Sequence, residues 1–256
     1  MRSPLICGLT LLACFAFQPS TRASELYVYH RDGWGEAGAL EVNLETAIGT
    51  REARPFGDKG VEGCARLRFR PTDRVQLEAW GGTLFDEGAY RSASFSLRAG
   101  VSVLNQDTQL VDLTIGAGYR FDFTQVSVPE LRVTASRSWN ALDVTATGIL
   151  EKPLAEGRDP VDVILGIAVS YQIAPPVAVG VEIFGEDLEG FWVEEEAEGG
   201  ARLVAGPTVR WQTTEALSIK ANAGAVLQAT YQGAGVPDSA PLETGMLGRV
   251  VVAYAF

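Results

Sequence analysis

Few residues in this chain could perform covalent or metal chemistry. It holds a single histidine, His30, and three cysteines, and no stretch of it stays apolar for the length that a membrane helix needs. Two of the cysteines, Cys7 and Cys14, lie in the first apolar run, so Cys64 stands alone beyond it and can build neither a disulfide framework nor a cysteine metal site. His30 precedes the first strand-like segment, which leaves a Ser/His or Asp/His arrangement on any later strand without its base. No catalytic residue, no metal site and no cofactor is therefore expected, and the chain is not read as an enzyme. With no helical span, any membrane insertion must use strands. Net positive charge is lacking too: a formal charge of −11 excludes nucleic acid as a natural partner, since phosphate binding requires the opposite sign.

What is present begins with an export signal. Met1-Arg-Ser-Pro leads into apolar residues from Leu5 to Phe17, then Pro19 breaks the run before Arg22-Ala23. The run is too short to anchor in a bilayer, so residues 1–23 read as a signal peptide cleaved after Ala23. Leu11-Leu-Ala-Cys14 has the outline of a lipoprotein box, but the apolar run continues past it. Residues 24–38 read as a periplasmic N-terminal segment, either a tail or a partial plug, and 39–256 as one all-β domain.

Period-two alternation then dominates. Leu40, Val42, Leu44, Thr46 and Ile48 alternate with Glu41, Asn43 and Glu45, and Val61, Gly63, Ala65, Leu67 and Phe69 alternate with Glu62, Cys64, Arg66, Arg68 and Arg70. The rhythm continues through twelve segments, the last of which runs through Met246, Val250, Val252, Tyr254 and Phe256. Short connections (71–73, 105–107, 138–140, 173–176, 213–216) alternate with longer ones (49–60, 83–91, 122–129, 151–160, 186–200, 230–243). A Greek-key sandwich has no reason to gather its short turns at one end, whereas an up-and-down antiparallel transmembrane barrel with short periplasmic turns and longer extracellular loops does. Aromatics fall near strand ends and predict two girdles: Phe69, Trp139, Tyr171, Trp211, Tyr254 and Phe256 at the short turns, with Tyr119, Phe121 and Tyr231 at the other end. Pro207, inside a strand where it cannot donate to a ladder, predicts a bulge.

The closing strand resembles the C-terminal signal strand of bacterial outer-membrane barrels, which implies that Tyr254 and Phe256 are read by the barrel-assembly machinery. Three further stretches carry a second likeness: Gly35-Glu-Ala-Gly-Ala-Leu-Glu-Val42, Arg70-Pro-Thr-Asp-Arg-Val-Gln-Leu-Glu78 and Ala205-Gly-Pro-Thr-Val-Arg-Trp211. Together they resemble a broad group of small proteobacterial outer-membrane barrels described as transporters, including the type found in a meta-cleavage phenol-degradation pathway. The resemblance implies a barrel, an outer-membrane location among lipid and lipopolysaccharide, and solute passage.

The polar faces of the strands carry the candidate pathway. Its residues are Glu41, Glu45, Glu62, Arg66, Arg68, Glu78, Arg98, Asp112, Arg120, Arg132, Glu182, Arg210, Lys220 and Arg249, with Arg70, Asp143, Asp162 and Arg202 on the same faces. About eight acids against about ten bases make a polar interior near charge balance. This interior either passes a small polar or anionic solute or closes on itself through its own ion pairs. A tight hairpin centred on Thr72 predicts that Arg66 opposes Glu78 and Arg68 opposes Gln76, with Arg66–Glu78 an ion pair and Glu45 its third member. The acidic run from Glu186 to Glu198 reads as a solvated outer loop that could bridge lipopolysaccharide through divalent cations.

Overall fold

A computed structural model describes residues 36–49, 60–86, 89–121, 125–154, 161–186, 188, 201–229 and 242–256. The expected leader, His30, Tyr231 and nearly all of the acidic run lie outside the described residues.

Twelve strands form: β1 (Leu40–Gly49), β2 (Gly60–Phe69), β3 (Val75–Asp86), β4 (Ala89–Leu104), β5 (Asp112–Phe121), β6 (Ser127–Trp139), β7 (Leu142–Glu151), β8 (Asp162–Ala174), β9 (Val177–Glu186), β10 (Ala201–Gln212), β11 (Leu217–Ala229) and β12 (Leu242–Ala255). Each pairs antiparallel with its neighbours in sequence, and β12 returns to β1, so the sheet closes and has no free edge. At the seam, Phe256 N–H donates to the Leu40 carbonyl at 2.8 Å. The last residue of the chain is thereby stitched to the first residue of the barrel.

The alternation read from sequence is a division between outside and inside. Leu44, Ile48, Leu97, Leu165 and Met246 are all more than half exposed on the outer surface, while the residues between them are buried in the interior. Phe69, Trp139, Tyr171, Trp211, Tyr254 and Phe256 all lie outward and exposed at the short-turn end, and the Tyr254 and Phe256 rings meet edge to face at 4.7 Å. Beside them the Arg137 guanidinium lies over the Trp139 ring and also donates to the Leu110 carbonyl. Toward the loop end, Tyr119 is exposed and Phe121 packs against Phe95, with ring centroids 5.9 Å apart.

Four local expectations are corrected. The connection expected to be long over 83–91 is mostly strand, because β3 continues to Asp86 and β4 begins at Ala89. The turn expected over 105–107 extends to 111: Asn105 accepts the Asp107 and Gln109 N–H groups, and Asp112 accepts that of Gln106, so β5 starts only at Asp112. At Pro207 there is no bulge. Register is the same on both sides of it, and pairing to β11 is merely interrupted at Gly206 and Pro207, where a Cβ on Gly206 would lie 2.0 Å from the Ala223 carbonyl oxygen. Real register shifts occur instead between Leu84 and Phe85, Ser102 and Leu104, and Gln172 and Ala174.

The fourth correction is register. In the β2–β3 hairpin, Arg66 faces Trp80 and Arg68 faces Glu78, a shift of two residues from the expected pairing. The Thr72 hydroxyl accepts the N–H groups of Arg74 and Val75 at 3.3 and 3.0 Å, which wraps the turn further along the chain before pairing resumes. A shift of two keeps every side chain on its expected face.

Candidate solute pathway

Strand pairing sets the interior chemistry, because residues directly across from one another on one face have Cβ atoms only about 5 Å apart. Following those partners from β1 gives one row: Glu41, Arg68, Glu78, Arg98, Gly118, Glu130, Glu151 and Asp162. Glu41 lies beside the first residue of β1 at the short-turn end, while Glu151 closes β7 and Asp162 opens β8 at the loop end. The row therefore climbs the whole height of the wall as it winds round it, which follows from the tilt of strands in a closed barrel.

Contacts alternate in sign from Glu41 to Glu130, and the row then ends in three neighbouring acids, Glu130, Glu151 and Asp162. Arg68 Nη1 lies 3.2 Å from Glu41 Oε1, and Arg68 Nη2 lies 3.5 Å from Glu78 Oε2. Arg98 Nη1 reaches Glu78 Oε1 at 2.8 Å, and Arg98 Nε reaches Glu130 Oε1 at 2.5 Å. This last contact skips a strand. It is possible because the β5 position between them is Gly118, whose absent side chain leaves the space that Glu130 occupies: a Cβ there would lie 2.9 Å from Glu130 Oε1.

The expected Arg66–Glu78 ion pair exists, but diagonally, at 3.7 Å from Arg66 Nε. Its further members are Arg68 and Arg98. Glu45 instead holds Arg249 across the β1–β12 seam at 2.5 Å, so the expected role of Glu45 as third member is replaced by a second pair. Nearby, Cys64 donates its thiol to Glu62 at 2.7 Å and faces the interior as a small filler. Asp112 caps its turn at the short-turn end, Arg210 faces Lys220 directly, and Arg132 and Glu182 are buried in the wall.

Three interior acids escaped the sequence reading. Glu130 and Glu151 belong to the row, and Glu186 pairs with Arg202 at 3.1 Å; Glu151 also accepts from Arg120 at 2.6 Å. Parity alone could have found them, since Glu130 shares the face of Arg132, and Glu186 that of Glu182. Among the described residues ten buried side chains are acids and seven are bases, and half-buried Glu41, Arg70, Arg98 and Arg210 complete the inward set. The expected slight excess of bases becomes near neutrality. Among the described residues no group of three or more side chains converges to hold a metal ion.

The other wall differs. Ile149, Ile164, Phe184, Val204, Val226, Leu247 and Ala47, one from each strand from β7 through β12 to β1, form a buried apolar cluster. On its loop side lie the Arg202–Glu186 and Arg120–Glu151 pairs.

No family model and no curated protein matches the chain. Solved structures do. The KdgM porin in complex with disordered oligogalacturonate matches with a TM-score of 0.57 at 10% identity, covering 84% of this chain and 99% of that one. The NanC porin matches with a TM-score of 0.58 at 8% identity, covering 83% of this chain and 98% of that one. Together with the closed sheet, the apolar outer surface and the charged interior, this likeness makes the fold that of an outer-membrane, porin-like antiparallel β-barrel.

Proposed function

We propose that the protein is a passive channel of the cell outer membrane for a small polar or anionic solute. The observation that carries this reading is the charged row that runs from one end of the closed barrel to the other. Such a row replaces the hydration that a polar solute gives up on entering, and inward serines and threonines such as Ser96, Thr134 and Thr147 add neutral polar groups beside it. The KdgM porin, similar in fold, is seen with oligogalacturonate, an acidic oligosaccharide, which supports solute passage as the use of this architecture. The resemblance of three stretches to small transporters of the phenol-degradation type belongs to the same proposal, as do contacts with lipopolysaccharide and with the barrel-assembly machinery. The reading is of a conduit and not of an enzyme.

A specific observation favours one other reading, a closed structural or surface-interaction barrel. The interior side chains near the loop end, Glu186, Ile164 and Val204 among them, have essentially no exposure. Planar-bilayer recording of the purified, refolded chain separates the two. Discrete single-channel steps that persist when the segment 189–198 is shortened support the channel, and absence of steps together with absence of solute uptake into liposomes supports the closed barrel. Assembly is tested separately: deleting Phe256 removes the strap to Leu40 and is expected to slow membrane insertion, read as the heat-modifiable fraction on gels.

A further inference from the structure

We propose that the solute carried along the row is zwitterionic, a small molecule with one carboxylate and one ammonium or other cationic group. The inference rests on the channel reading and narrows its solute class. Four consecutive rungs, Glu41, Arg68, Glu78 and Arg98, alternate strictly in sign, and the alternation is carried over Gly118 to Glu130. Neighbouring strands stand about 4.8 Å apart, so opposite charges recur at roughly that spacing over the four rungs from Glu41 to Arg98.

A solute with a single charge that displaced one member of a pair would leave the other buried without its counter-ion, the arrangement that costs most in a water-poor interior. It would then meet a rung of its own sign at the next step. A zwitterion avoids both penalties. Its carboxylate takes the guanidinium while its cationic group takes the carboxylate, so from Glu41 to Arg98 each ion pair is exchanged for two at every rung, and above them the acids Glu130, Glu151 and Asp162 receive the cationic group. Among the described residues the inward acids and bases nearly balance, so the charges of the wall itself give little net preference for anions or cations. Glu130, Glu151 and Glu186 bring the described inward set from eight acids against ten bases to eleven against ten.

The test uses the full mature chain in proteoliposomes, with uptake of glutamine, gluconate and choline followed side by side. Glutamine is expected to equilibrate roughly tenfold faster than either singly charged solute, a difference of about 1.4 kcal/mol in the barrier. In a planar bilayer under a potassium chloride gradient, the reversal potential is expected near zero. Glu130→Gln removes one acid from the row and should move that potential toward the chloride equilibrium value while raising the gluconate rate. Gluconate or choline uptake equal to or faster than glutamine uptake, or a wild-type reversal potential already at the chloride value, would overturn the zwitterion inference and leave the channel standing. Failure of all three solutes to enter, with no conductance, would instead overturn the channel reading itself. If Glu130→Gln does not assemble, the wild-type uptake ratio and reversal potential decide alone.

Discussion

The two halves of the barrel wall obey one alternation rule, yet only one of them adds a continuous apolar layer to its charged interior. From β1 to β4 one inward residue on each strand falls into a row whose direct cross-strand partners carry opposite charge, and across Gly118 of β5 the row reaches Glu130 of β6, so a chain of ion pairs lies along the wall. From β7 round to β12 and β1, one inward residue on each strand is apolar, and these pack into a continuous arc. The first arrangement depends on which acids and bases register brings within reach, because an ion pair needs oppositely charged groups at contact distance. The second needs only an apolar side chain on the inner face at each strand, because apolar packing has no preferred direction. Glycine serves both walls: Gly118 lets Glu130 cross to Arg98, and Gly206 lets β10 approach the backbone of β11 where Pro207 interrupts the pairing.

The sharpest way to break this contrast is to remove the centre of the charged wall. Glu78 is buried and contacts Arg66, Arg68 and Arg98, so Glu78→Ala removes an acid that three cations share; loss of one partner from a buried pair costs about 3–5 kcal/mol, and urea unfolding in lipid should show it. Next in size is Gly118→Ala. Its methyl group would press on the Glu130 carboxylate and on the Leu97 carbonyl oxygen 3.0 Å away, an overpacking effect of about 1–3 kcal/mol that should also part Glu130 from Arg98. The smallest effect belongs to the apolar wall: Ile164→Val should cost about 0.5–1.5 kcal/mol in the same assay and leave conductance selectivity unchanged. Equal effects of Glu78→Ala and Ile164→Val would erase the distinction between the walls.

The outline of this architecture is legible in the amino-acid sequence because a half-buried strand repeats every two residues. The tenth and eleventh strands, 201–212 and 217–229, are expected and found with the same bounds. What alternation cannot carry is register. Whether Arg68 faces Gln76 or Glu78 depends on one hydroxyl, that of Thr72, which lengthens the wrap of its turn. Glu151 and Glu186 were hidden because they end their strands, where charge reads as loop. The apolar arc was hidden for another reason. Val163, Ile164, Leu165, Ile167, Ala168 and Val169 are apolar on both faces of β8, so polarity along the chain does not say which side is inner.

The central claim, that the charged row lines the solute path, is tested most directly by chemical labelling during recording. In a Cys64→Ser background, where the serine hydroxyl can replace the thiol as donor to Glu62, a single cysteine is placed either at Glu78 on the row or at its outward neighbour Leu77. A charged, water-soluble thiol reagent added to open channels should reduce single-channel conductance stepwise for Glu78→Cys and leave Leu77→Cys unchanged. Conductance that is unaffected at Glu78→Cys, although mass measurement shows the thiol modified, would contradict the claim.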